Sequence, residues 1–146
     1  VTDPFSDMAT ACYANRLRSA ARAITRRYDA VLKPLDVRIS QLSVLVAINL
    51  GDGALTIVDI ANKLGMDRST LSRNLDPLVR RGLVELGPEA RHRARHATLT
   101  PDGRALLLAA HPLWLQAQAA IAGTVADLEP VLQRLDALTE HITNTP

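Results

Sequence analysis

The stretch DRSTLSR at residues 67–73 gathers Arg68, Ser69, Thr70, Ser72 and Arg73 around a single leucine. Short hydroxyls beside guanidinium forks are suited to hydrogen-bonding base edges and phosphate oxygens. Further along, Arg91, Arg93 and Arg95 recur at every second position. On an extended segment that alternation places all three on one face. Other chemistry is thin. The chain shows no Ser/His/Asp grouping, no Gly-rich phosphate loop and no paired carboxylates outside helix caps, so no enzyme and no cofactor are expected. His92 and His96 lie four apart, a metal-ligand spacing on a helix; on a strand it suits phosphate contact or solvent, and no metal is expected. His111 and His141 read as structural. A single Cys, Cys12, excludes an intrachain disulfide and a zinc ribbon.

These residues need elements to hold them. Tyr13, Leu17, Ala20, Ile24, Tyr28 and Val31 step by three and four, predicting one long amphipathic helix over 6–33, closed by Pro34. A shorter helix follows over 39–50 and ends at the Gly51–Gly53 turn. Thr56 and Asp59 have capping-box spacing at the head of a helix to Leu64. Gly65 and Met66 then make a tight turn, and Asp67 caps the next helix. In that helix Leu71, Leu75 and Leu78 form the inward seam, while Ser69, Arg73, Asp76 and Arg80 point the other way, with Thr70 and Ser72 on the flanks. Pro77 is expected to bend it and Gly82 to end it. A short strand over 83–86 and a second ending at Thr98 and Leu99 make a ribbon. A helix from Pro101 to about Ala122, kinked at Pro112, and a last one over 127–141 complete the chain.

Composition agrees. The 146 residues suffice for one domain, 47% hydrophobic but 3% aromatic, so Leu, Ala, Val and Ile must build a mostly helical core. The net charge of +2 is bland, yet it is unevenly spread. Residues 62–104 hold nine basic side chains against five acidic, whereas 105–146 hold Arg134 against four acids. The basic block is the footprint expected for a polyanion. No charged, apolar leader opens the chain and no stretch comes near about 18 uncharged apolar residues, so a soluble cytoplasmic protein with no membrane span is expected.

Helix, tight turn, polar-faced helix and basic ribbon, in that order, predict a winged helix-turn-helix. Its second helix would enter the major groove and its ribbon the neighbouring minor groove. At the strings IVDIANKLG (57–65), DRSTLSR (67–73), LVRRGLV (78–84) and LTPDG (99–103) the chain resembles the MarR family of bacterial transcription regulators. The resemblance covers about residues 10 to 143. It implies a homodimer with a helical dimerisation region at 1–36 and 105–146, and a winged DNA-binding region at 37–104. Two such units would bind a pseudo-palindromic operator in double-stranded DNA. Ser69, Thr70, Ser72 and Arg73 match the family's recognition-helix positions, and Arg91, Arg93 and Arg95 match its wing. One departure concerns that wing: the position usually held by an acid is Arg91, with Glu89 two residues earlier. Either Glu89 takes over the bracing role, or the wing is more mobile and more cationic.

The implied function is a sequence-specific repressor released by a small ligand or an oxidant; the alternative is a non-specific architectural DNA binder. Some family members sense oxidants through a cysteine in the first helix, which makes Cys12 a candidate beside Arg16 and Arg18. Counting back from Tyr28, however, puts the reactive position nearer Ala14, and a lone Cys is commonly a small buried hydrophobe. Trp114 and Tyr28 are the candidates for a pocket taking the aromatic acids the family often binds; a dimer-core role suits Trp114 equally well.

Overall fold

The described part of the chain forms seven helices and one hairpin, with side-chain N-caps at Thr56, Asp67 and Thr100. The structure is a computed structural model that describes residues 4–88, 95–124 and 127–144. It is mostly helical with one small antiparallel hairpin, as the periodicity predicts.

The long first helix is in fact two. Helix α1 spans Pro4–Thr10 and α2 spans Tyr13–Leu32. Thr10 Oγ1 donates to the Ser6 carbonyl at 2.9 Å and Cys12 is extended (φ −64°, ψ 111°). Thr and Cys are both mediocre helix formers, and a hydroxyl bonded to its own helix competes with continuation. A single 3-10 turn at Lys33–Leu35, carrying Pro34, then redirects the chain.

Helix α3 (Ile39–Gly51) is the spine of the molecule. Its first amide, Ile39 N, is capped from another element, by Asp29 Oδ1 of α2 at 2.8 Å. Thr56 and Asp59 cap α4 (Ile57–Lys63) reciprocally, Asp59 N to Thr56 Oγ1 at 3.1 Å and Thr56 N to Asp59 Oδ2 at 2.9 Å. Gly65 turns the chain with φ +60°, a conformation that favours glycine, and α5 (Arg68–Arg80) follows. It runs as one helix through Pro77. Its seam is as predicted: Leu71, Leu75 and Leu78 are buried against Val44, Leu45 and Ile48 of α3 and Ile60 of α4. Each such side chain contributes about 1.5–3 kcal/mol by leaving water.

Strands β1 (Val84–Leu86) and β2 (Ala97–Leu99) pair antiparallel, Val84 opposite Leu99 and Leu86 opposite Ala97. Val84 and Ala97 close the same core. The returning strand also bonds backward: Ile57 N donates to the Arg95 carbonyl at 2.9 Å, and His96 forms a bridge with Thr56. The base of the ribbon is thereby tied to the head of α4.

Helix α6 (Pro101–Ala122) starts at the Thr100 cap, passes Pro112 unbroken, and packs on α2 and α3. Around it lies a second cluster of Leu32, Val37, Leu42 and Ala110, with Tyr28 and Trp114 at its edge. One expectation needs correction here. Residues 105–122 carry no Asp, Glu, Lys or Arg, and α6 is long and apolar enough, by length and composition, to cross a membrane. The count by uninterrupted apolar run missed it because His111, Gln116 and Gln118 divide the run without adding charge. Its inner face, at Gly103, Ala110 and Ala117, is buried in this chain. Helix α7 (Leu128–Asn144) has no fully buried residue; only Leu128 and Leu135 are half-buried.

Candidate nucleic-acid interface

The head of α5 is organised by one carboxylate. Asp67 Oδ1 accepts from Thr70 N at 2.8 Å, satisfying an amide the helix leaves open, and from Ser69 Oγ at 2.6 Å. Asp67 Oδ2 accepts from Thr70 Oγ1 at 2.8 Å. Arg73, one turn on, lies back along the helix: Nη2 donates to Thr70 Oγ1 at 3.1 Å and Nε to the Ser69 carbonyl at 3.3 Å. Ser72 Oγ donates to Asp76 Oδ2 at 3.2 Å. Arg68, Ser69, Ser72 and Arg73 are exposed and Thr70 is half-buried, so these predicted residues share one outward face.

Hydrogen bonds from Ser69 and from the Thr70 amide and hydroxyl hold the Asp67 carboxyl well below the usual carboxylate range. Bonds from the Thr56 side chain and backbone, with a smaller contribution from the charge of His96, lower Asp59 likewise. A carboxyl lowered by folding stabilises the fold above its unfolded value, near pH 4, and that contribution is lost as pH falls toward the folded value. Asp67→Asn keeps a good cap but removes one such titration. Thermal midpoints measured from pH 7 down to pH 2 are expected to fall less steeply for Asp67→Asn than for the unmodified chain.

The wing is partly described. Arg95 is exposed, and its Nε donates to the Gly87 carbonyl at 3.1 Å across the hairpin. Arg91, Arg93, His92 and the bracing role of Glu89 lie outside the described residues. His96 belongs to the bridge with Thr56 and sits at the root of the ribbon.

Several positioning residues escaped sequence reasoning. Ser40 Oγ donates to Asn74 Oδ1 at 2.7 Å, and Asn74 Nδ2 donates to the Thr70 carbonyl at 2.9 Å, hooking α5 to α3. The Arg81 guanidinium donates to the carbonyls of Leu35 and Asp36, tying the tail of α5 to the turn after α2. Asp67 was legible as a cap from its place before a polar-apolar repeat. The Arg81 and Ser40 partners lie far away in sequence, where no local pattern reports them.

The two aromatic candidates separate. Trp114 lines a cavity of about 500 Å³ with Leu42, Val46, Leu50, Lys63 and His111, between α3, α4 and α6. The His111 and Trp114 rings stack with centroids 6.4 Å apart. Tyr28 does not line it; its hydroxyl donates to Gln118 Oε1, and burial pushes its phenol up from the ordinary value. Cys12 is half-buried at the head of α2.

A family model described as MarR family matches residues 35–95, from the turn before α3 past β1 to just ahead of β2. The multiple antibiotic resistance protein MarR of Salmonella typhimurium is 36% identical over 87 residues, 59% of this chain and 60% of that protein. The alignment thus spans less than two thirds of that relative's length. Over a larger extent, the transcriptional regulator MosR of M. tuberculosis, solved in complex with DNA, is 34% identical. That likeness covers 90% of this chain and 96% of that one, with a TM-score of 0.80. This chain belongs to the MarR family. A second structure of M. tuberculosis MosR is 33% identical over 92% of this chain and 97% of that one, TM-score 0.82. MarR-family proteins are non-enzymatic DNA-binding regulators, and the hairpin and the α4–α5 unit of this chain have the corresponding winged arrangement.

Proposed function

We propose that this chain is a sequence-specific DNA-binding transcriptional repressor that acts as a homodimer. The observation that carries the reading is the outward face of α5, where Ser69, Ser72 and a braced Arg73 stand exposed on a helix that fits a major groove. A relative alike over nearly its whole length is described in complex with DNA, which supports it. Arg95, with Arg91 and Arg93 by sequence, supplies phosphate or minor-groove contacts from the wing.

Dimerisation follows from apolar surface left open in one chain. Met8, Tyr13 and Leu17 on α1 and α2, and Val131, Leu132, Leu138 and Ile142 on α7, are exposed. A helix whose apolar stripe is left mostly exposed, as that of α7, needs a second surface to cover it. The division into a dimerising part at 1–36 and 105–146 and a reading part at 37–104 accords with this. DNA bound by such a dimer carries half-sites about one turn apart.

Salt titration with an operator duplex and a scrambled one tests the reading. A regulator holds the operator about 10³-fold or more tighter than the scramble at physiological salt. Equal affinities with a steep salt slope are the mark of an architectural binder, and no binding at low salt ends both readings.

Release is assigned to a small apolar ligand in the cavity beside Trp114. Trp114 is the sole tryptophan, so its fluorescence reports that cavity alone. Titration with aromatic acids is expected to change this emission at the concentrations that free the operator; release with unchanged emission places the ligand elsewhere. An oxidant acting at Cys12 is the second route, and a Cys12→Ser protein that still releases DNA under peroxide removes it.

A further inference from the structure

The hydroxyls on the reading face of α5 all hand their protons to carboxylates. Ser69 Oγ and Thr70 Oγ1 donate to Asp67 at 2.6 and 2.8 Å, and Ser72 Oγ donates to Asp76 at 3.2 Å. The direction is not free, because an ionised carboxylate only accepts. Asp67 stays ionised far into acid, since the bonds it receives hold its carboxyl down. Thr70 Oγ1 also accepts from Arg73 Nη2, which leaves the threonine little polar capacity beyond its methyl. Ser69 and Ser72, both exposed, therefore face outward with lone pairs and no proton to give. Arg73 spends Nε and one Nη2 proton within the helix and keeps its remaining N–H groups as donors.

Resting on the DNA-binding reading above, we propose that Asp67 and Asp76 are positioning residues that set the base specificity of α5. By drawing the protons of Ser69 and Ser72 inward, they make the two serines readers of exocyclic amino groups, adenine N6 or cytosine N4. Acceptor atoms of guanine are left to Arg73. In the major groove these amino groups are the donors, whereas guanine O6 and N7, adenine N7 and thymine O4 accept. Two carboxylates on a face turned to a polyanion weaken its attraction to phosphate. Control of hydroxyl polarity is the compensating function the geometry assigns them.

The test uses the full chain and an operator selected from random duplexes. Single bases are then replaced by analogues lacking one group: purine for adenine or 2-pyrimidinone for cytosine removes the amino group, and 7-deazapurines remove N7. At one position per half-site, loss of the amino group is expected to weaken binding about tenfold. Ser69→Ala abolishes that penalty, and Ser72→Ala does so at a second position, while 7-deaza substitution at both is silent. Asp67→Gly removes the carboxylate at a cap position where glycine is well tolerated. Asp76→Ala does so at an exposed helical position where alanine is the best helix former. Each frees a hydroxyl proton, so that its serine can donate as well as accept, and each is expected to bring the roughly tenfold preference for an amino-bearing base over guanine or thymine at its serine's position close to onefold. Should Asp67→Gly fail to fold, Asp76→Ala decides alone. The proposal is overturned if the serine-coupled positions respond to loss of N7 rather than of the amino group. It is also overturned if neither serine couples to any base. A wild-type chain that selects no duplex overturns the DNA-binding reading and this proposal with it, which is a different result from selection without amino-group coupling.

Discussion

Gly103→Ala is expected to lower the unfolding free energy by about 3 kcal/mol, the upper end of overpacking costs. A Cβ at this position would stand 2.1 Å from the Leu83 carbonyl oxygen and 3.1 Å from its carbon. Those atoms are backbone, so no rotamer change relieves the clash, and Thr100 N donates to the same carbonyl at 3.1 Å. Separating α6 from β1 would also disturb the Thr100 cap, whose Oγ1 donates to the Gly82 carbonyl at 2.7 Å and accepts from Gly103 N at 3.0 Å. Gly123→Ala is the control. There the nearest atom to a new Cβ is the Ala119 carbonyl oxygen at 3.4 Å, an ordinary contact, and stability should hold or rise slightly. Urea unfolding at matched protein concentration measures both, since a dimer's apparent stability depends on that concentration. Equal midpoints for the two variants would mean that the close approach of α6 to the hairpin is not needed.

Arg73→Ala is expected to cost about 1–3 kcal/mol in operator affinity and to relax sequence preference. Its guanidinium is braced by the Ser69 carbonyl and Thr70 Oγ1, so less side-chain entropy is lost when its free donors meet a base. Arg95→Ala is expected to act differently. Its Nε bond to Gly87 holds it on the ribbon, where the proposed reading has it meet phosphate or the minor groove. Loss of that charge should weaken operator and scrambled duplexes alike and reduce the salt slope by about 1. Anisotropy titrations of both duplexes at several salt concentrations separate the two. Identical patterns for the two variants would remove the division between a reading helix and a phosphate-holding wing.

The two arginines also show how the charge pattern works. A sum of +2 conceals a basic middle, yet the reading face within that middle carries Asp67 and Asp76. Bulk charge attracts a polyanion and says little about which groups meet it. The hydrogen bonds around Asp67 turn a merely basic segment into a surface with defined donors and acceptors.

Local features of this chain were readable without coordinates. Helix α5, its Asp67 cap, its leucine seam and its exposed polar face follow from residues within about one or two turns of each other, and so does the Thr56–Asp59 box. Helical geometry leaves little choice at that range. The break at Cys12 was not readable, because no Pro or Gly marks it and only the Thr10 hydroxyl signals the stop. Counting uninterrupted apolar residues likewise hid the uncharged length of α6, since the polar interruptions there are neutral.

Sequence alone therefore determined helix α5 and the residues it presents, because periodicity and capping act through neighbours along the chain. Tertiary structure decided what holds that helix in place. Asp29 capping α3, Ser40 hooking Asn74, Arg81 reaching the carbonyls of Leu35 and Asp36, and Arg95 crossing to Gly87 are pairings set by how elements pack. It also divided the aromatic pair, placing Trp114 in a cavity and Tyr28 against Gln118. Side chains distant in sequence meet only once the packing of whole helices is settled, and no local spacing encodes that arrangement.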